Sequence, residues 1–234
     1  MPPHTASTGI DSVVQMLSGR SFWLRLLWWM LAWELLLVIL NIWTPAIIAR
    51  SVHLDRESNL VVWFSSAQLL LASLTALLVS LQESAFLKRL PWYLLALLLL
   101  MLSIDETAML HESVGPRLAL LHSEESATCV HWLTKALPFV IVAVGFLCWL
   151  IVYCFRRNSV ARRLMIVALC CWCISLTGEC IQHYSESLLA GFNSPHCYKA
   201  VWIIEETMEM IGASLMWCAL GLLLCARVTT SRAE

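Results

Sequence analysis

Six apolar runs, each about as long as a membrane is thick, constrain this chain more than any other feature. They cover Phe22–Trp43, Leu60–Leu81, Trp92–Leu110, Leu133–Phe155, Arg163–Glu186 and Val201–Ala226. A helix needs ~20 predominantly apolar residues to cross ~30 Å of hydrocarbon, and every run reaches or approaches that length. The expected fold is all-α: a polytopic membrane protein, a six-transmembrane-helix bundle over residues 21–227. A polar segment at 1–20 precedes it and a short tail at 228–234 follows. Composition agrees, with 60% of the 234 residues hydrophobic and 13% charged, against roughly 45–50% and about 25% in soluble domains. Residues 1–19 carry no cleavable-signal pattern, so the first apolar run is expected to target the chain to the membrane.

Basic residues set the expected orientation. Arg20, Arg25, Lys88, Arg89, Arg156, Arg157, Arg162, Arg163, Arg227 and Arg232 fall at one end of the runs, and Arg50, Arg56, Arg117, Lys135 and Lys199 at the other. Cytoplasmic segments carry the excess of Lys and Arg, so both termini are expected in the cytoplasm. A net charge of -1 offers nucleic acid no basic footprint. Membrane lipid is the expected partner, and a homo-oligomer stays open. Cys129 and Cys197 lie in or beside connectors on the expected outer side, where either a disulfide or two unrelated thiols fits. Cys170, Cys171 and Cys173 read as small packing residues of span five.

The polar residues inside the runs are the candidates for function. Span three ends in Ser103-Ile104-Asp105-Glu106-Thr107-Ala108-Met109-Leu110-His111-Glu112, span five carries Glu179, His183 and Glu186, and span six carries Glu205, Glu206 and Glu209. Ionisable side chains cost a few kcal/mol each inside a membrane and usually face a protein interior or a water-filled cavity. At ~1.5 Å per residue all three blocks fall in the outer third of the bilayer. At about 100° per residue, Glu179, His183 and Glu186 share one stripe, Glu205 and Glu209 another, and Asp105 and Glu112 a third. The three faces are expected to meet inside the bundle.

Carboxylates stacked in low dielectric need counter-charge, and no Lys or Arg lies at this depth on spans three, five or six. Protons or metal ions remain. An oxygen-rich set with two imidazoles suits Zn, Fe or Mn. The expected ligands of such a divalent metal ion are Asp105, His111, Glu112, Glu179, His183, Glu186, Glu205 and Glu209, with Glu106 and Glu206 as the catalytic carboxylates that move protons. The spacing departs from the Glu-x-x-His of bundles that hold two irons or manganeses. Glu34, mid-span in run one, either joins this set or pairs with a hydroxyl. Gln68 in run two is expected to hydrogen-bond between helices, and His131 at the outer start of run four is either an extra ligand or a solvated interface residue.

Ser103-x-Asp105-Glu106-x4-His111-Glu112 together with Glu205-Glu206-x2-Glu209-Met210-x-Gly212 resembles a group of small bacterial multi-span membrane proteins of uncharacterised function. The resemblance implies that these acidic blocks belong together, in a bacterial inner (cytoplasmic) membrane. Glu206-x2-Glu209 also resembles the Glu-x-x-Glu of iron-permease-like transporters, with Glu205 standing where those proteins place a basic residue.

Three readings follow. The first is a metal-dependent enzyme, hydrolase or oxidoreductase, acting on a lipid or amphipathic substrate near the outer leaflet. The second is a divalent metal-ion transporter. The third is a metal-free structural or regulatory protein with a protonated polar core. The two histidines and the off-centre depth favour the first, because carriers bind near the midplane. The expected nucleophile is water on the metal, since no serine here belongs to a recognisable triad.

Overall fold

A computed structural model describes residues 19–43, 60–108, 128–188 and 195–231, and side chains at 19–43, 60–108, 137–181 and 199–228. Six helices follow one another: α1 (Arg20–Trp43), α2 (Leu60–Leu81), α3 (Phe86–Ala108), α4 (Thr128–Tyr153), α5 (Ser159–Leu188) and α6 (Pro195–Ser231). Five contain stretches long and apolar enough to cross a membrane, and α4 contributes a shorter apolar stretch, Leu137–Tyr153, within its described side chains. The chain is a multi-pass membrane protein.

Run two coincides with its helix, while α3 begins six residues before its run. Pro91 lies five residues into α3, so its missing N–H forgoes one intrahelical bond in the second turn. The α5 start is capped by Asn158, whose Oδ1 accepts a hydrogen bond from the Ala161 backbone N–H at 3.1 Å, as a capping amide does. Its Nδ2 donates to the Leu222 carbonyl of α6 at 3.2 Å, so one side chain both begins α5 and ties it to its neighbour.

The long last helix is the axis of the bundle: α1, α2 and α5 all pack on α6, α3 packs along α2, and α4 packs on α5. Between Met210 and Cys225 nearly every residue of α6 is buried, as expected of a helix apolar all round. Small residues permit the close approach. The Trp23 ring of α1 occupies the space a side chain at Gly221 would need, and the Trp172 ring of α5 does the same at Gly212. Ala213, beside Gly212, is fully buried in the same contact region.

Serines join α2 to α3. Ser66 Oγ donates to the Ser103 carbonyl at 2.8 Å, Ser103 Oγ donates to the Ser66 carbonyl at 2.9 Å, and Ser73 Oγ donates to the Ala96 carbonyl at 2.7 Å. Without a hydrophobic drive between helices in lipid, such hydroxyls and the small buried Ala72 and Ala76 between them hold a pair together. Large apolar side chains such as Trp28, Trp29, Trp43 and Phe139 are 72–81% exposed, which in a membrane is contact with lipid.

One end of the bundle gathers the start of α1, the end of α2, the start of α3, the turn between α4 and α5, and the end of α6. Arg227 Nη1 pairs with Glu83 at 2.7 Å and also donates to the Val79 carbonyl at 3.3 Å. Trp92 packs edge-on to Phe155 with ring centres 6.0 Å apart. This basic end faces away from the acidic residues of spans three, five and six.

Candidate functional site

Spans five and six pack side by side, and Glu205 of α6 reaches α5 where α5 carries Glu179. The contact point is Gly178: a Cβ added there would stand 3.2 Å from Glu205 Cβ and 3.3 Å from Glu205 Oε2. Glycine at that position lets the Glu205 side chain lie flat across α5, next to Glu179 in sequence. Glu179, Glu205, Glu206 and Glu209 are all half-buried and engaged with neighbouring groups. His183 and Glu186 continue the α5 stripe, but their side chains lie outside the described residues.

Span three is placed differently. The Ser66–Ser103 clamp turns Ser103 toward α2, and at about 100° per residue Asp105 then points about 160° away from that contact. Asp105 and Glu106 are half-buried and engaged with neighbouring groups, while His111 and Glu112 lie outside the described residues, as does the His131 side chain. Among the described residues, no group of three or more His, Cys, Asp or Glu side chains is arranged to hold a metal ion. Of Cys170, Cys171 and Cys173 in span five, only Cys171 enters the core; Cys170 and Cys173 face outward.

A second polar centre lies deeper, at the junction of α1, α2 and α6. Glu34 is 1% exposed. Its Oε1 accepts hydrogen bonds from Gln68 Nε2 at 2.7 Å and from Ser214 Oγ at 2.5 Å, and Gln68 Nε2 donates its other hydrogen to Ser214 Oγ at 2.8 Å. Three helices thus meet in a closed triangle of hydrogen bonds. Glu34 Oε2 and Gln68 Oε1 are buried without any hydrogen-bond partner, and so are Ser65 Oγ and both polar atoms of the Asn41 amide. Of the two readings of Glu34, pairing with a hydroxyl is the observed one, and Gln68 makes the interhelical bonds expected of it.

A family described as a domain of unknown function, DUF8692, matches residues 14–224. The chain belongs to the DUF8692 family. That match spans all six helices of the DUF8692 fold as far as Leu224 of α6, and so covers both polar centres. No curated protein and no solved structure matches the chain.

Sequence reasoning missed three members of the deeper centre in this DUF8692 protein: Ser214, Ser65 and Asn41. Isolated serines are common in membrane helices and give no signal. Spacing could have found the others, because Asn41 lies seven residues from Glu34 and Ser65 three from Gln68, each pair on one helical face.

Proposed function

We propose that this DUF8692 protein holds a divalent metal ion near the outer leaflet and uses it on a lipid or small amphipathic substrate, by hydrolysis or oxidation. Glu179, Glu205 and Glu209 supply carboxylate ligands from α5 and α6. His183 and Glu186 complete the set from α5, and Asp105, His111 and Glu112 supply it from span three. Glu106 and Glu206, flanking the ligand stripes, move protons. The observation that carries the reading is the lie of Glu205 across Gly178, which puts the acidic blocks of two helices in one place with no basic side chain of those segments beside them. Such an ion supplies Lewis-acid chemistry and a nucleophile at neutral pH. With both termini in the cytoplasm, the site opens on the exterior side of a bacterial inner membrane.

Metal analysis of the full-length protein, purified gently in detergent, tests this. The expected result is a stoichiometric first-row metal or zinc, stripped in His183→Ala and in His111→Ala. Metal-free wild-type protein would overturn the reading, and metal retained in both variants would remove the histidines as ligands.

A transport reading uses the same half-buried carboxylates of α6, Glu206 and Glu209 one turn apart. Its test is divalent-ion flux into proteoliposomes, expected to fall in Glu206→Gln and Glu209→Gln.

A further inference from the structure

The carboxyl of Glu34 has two unlike oxygens. Oε1 is saturated by two donors, and Oε2 has none. Among the described residues no basic side chain pairs with it. On α1 the nearest, Arg25, is exposed and sits nine residues away, ~14 Å along the helix. A buried carboxylate without a counter-charge costs far more than two hydrogen bonds return, so the site requires an occupant carrying one positive charge. A divalent ion would replace one uncompensated charge by another. The smallest occupant fits: one hydron on Oε2, leaving Oε1 as the carbonyl oxygen that accepts both bonds.

The remaining orphan atoms indicate where that hydron comes from. Gln68 Oε1, Ser65 Oγ and the Asn41 amide are buried and unpartnered, and they lie at or above Glu34 toward the acidic end. At ~1.5 Å per residue Asn41 is ~3 Å, Ser65 ~8 Å, Gln68 ~12 Å and Glu34 ~14 Å from the acidic ends of α1 and α2. Leu37, Val61 and Met210, each no more than 1% exposed, pack beside these polar atoms and keep the region compact. Toward the basic end the interface is apolar, through Met30, Leu27, Leu69 and Trp23, and the hydroxyl of Thr75 is occupied by the Trp217 N–H at 3.1 Å.

Among the described residues the other titratable groups near Glu34 are few. Cys171 of α5 is buried in the core, Cys218 of α6 is buried one turn beyond Ser214, and Glu209 of α6 lies five residues before Ser214. The inward face of α2 brings none.

We propose that Glu34 is an exchangeable proton-binding site in the middle of the membrane, hydrogen-bonded by Gln68 and Ser214 and reached from the acidic end past Asn41 and Ser65. None of these residues belongs to the outer metal set, so either proposal can fail without the other.

Infrared spectroscopy of the full-length protein in liposomes at neutral pH tests it. Wild-type protein is expected to show the carbonyl stretch of a protonated carboxylic acid in an apolar setting, lost in Glu34→Gln and retained in Glu205→Gln. Ser214→Ala, which removes one donor from the carbonyl oxygen and keeps the carboxyl itself, should raise the frequency of that band. Asn41→Leu should slow its shift in deuterated buffer several-fold. A band that survives Glu34→Gln, or that stays put in Ser214→Ala, overturns the site; an unchanged exchange rate in Asn41→Leu overturns the route. Thermal stability that rises with sodium concentration in wild type but not in Glu34→Gln would identify a metal cation as the occupant and overturn the proton.

Discussion

The guanidinium of Arg227 stands 5.0 Å from the centre of the Trp92 ring, so the end of α6 is pinned to the start of α3 although those helices pack mainly on other partners. The same side chain holds Glu83 at 2.7 Å with both side chains just over one-fifth exposed. An exposed ion pair is worth ~0–1 kcal/mol, and the cation over indole adds ~0.5–2 kcal/mol. Arg227→Ala should therefore lower stability by about 1–2 kcal/mol, read as a fall in the detergent unfolding midpoint. Glu83→Gln should lower it less, because it leaves the ring contact in place. Equal losses in the two variants would show that the ring contributes nothing.

Gly221 and Gly145 make a controlled comparison. A Cβ at Gly221 runs into the Trp23 ring, whereas one at Gly145 meets nothing within 4 Å. Gly221→Ala should cost ~1–3 kcal/mol through overpacking. Gly145→Ala should be neutral or should gain up to ~1 kcal/mol from helix propensity. The reverse order in an unfolding titration would mean that Trp23 swings away freely.

The paired serines of α2 and α3 should behave as one unit. Ser66→Ala and Ser103→Ala each break the 3.0 Å contact between the two hydroxyls, so the double variant should lose less than the sum of the singles. Interhelical hydrogen bonds of this kind are worth ~0.6 kcal/mol on average. A strictly additive double-mutant cycle would show that each hydroxyl acts only through the opposite backbone.

At the deeper centre, Glu34→Ala leaves the Gln68 amide and the Ser214 hydroxyl without their shared acceptor. Each stranded buried group costs ~1–3 kcal/mol, so a loss of about 2–5 kcal/mol is expected. Glu34→Gln retains an oxygen for both donors and should cost well under half as much. The ratio of the two losses, measured by reversible unfolding in mixed micelles, is the check.

Run length and apolarity alone made all six helices legible, because the bilayer imposes a length that sequence cannot disguise. Partner choice was not legible. For span three, depth is legible from residue position but azimuth is not, and azimuth is set by Ser103 against Ser66. The approach of Glu205 to α5 at Gly178 follows from matching depth on adjacent spans. The triangle at Glu34 escaped notice because Ser214 lies 180 residues away in sequence and carries no pattern of its own.

The helix on which α1, α2 and α5 all converge is also the last of the six to be made. Until it emerges, Glu34 and Gln68 wait in the bilayer without Ser214, and the flat faces of Trp23 and Trp172 have no glycine to lie upon. A ribosome stalled before Pro195 would leave five spans with no common partner. Assembly of this bundle therefore waits on the sixth span, and quality control that acts on unfinished membrane chains should find this one defenceless until that span is in place.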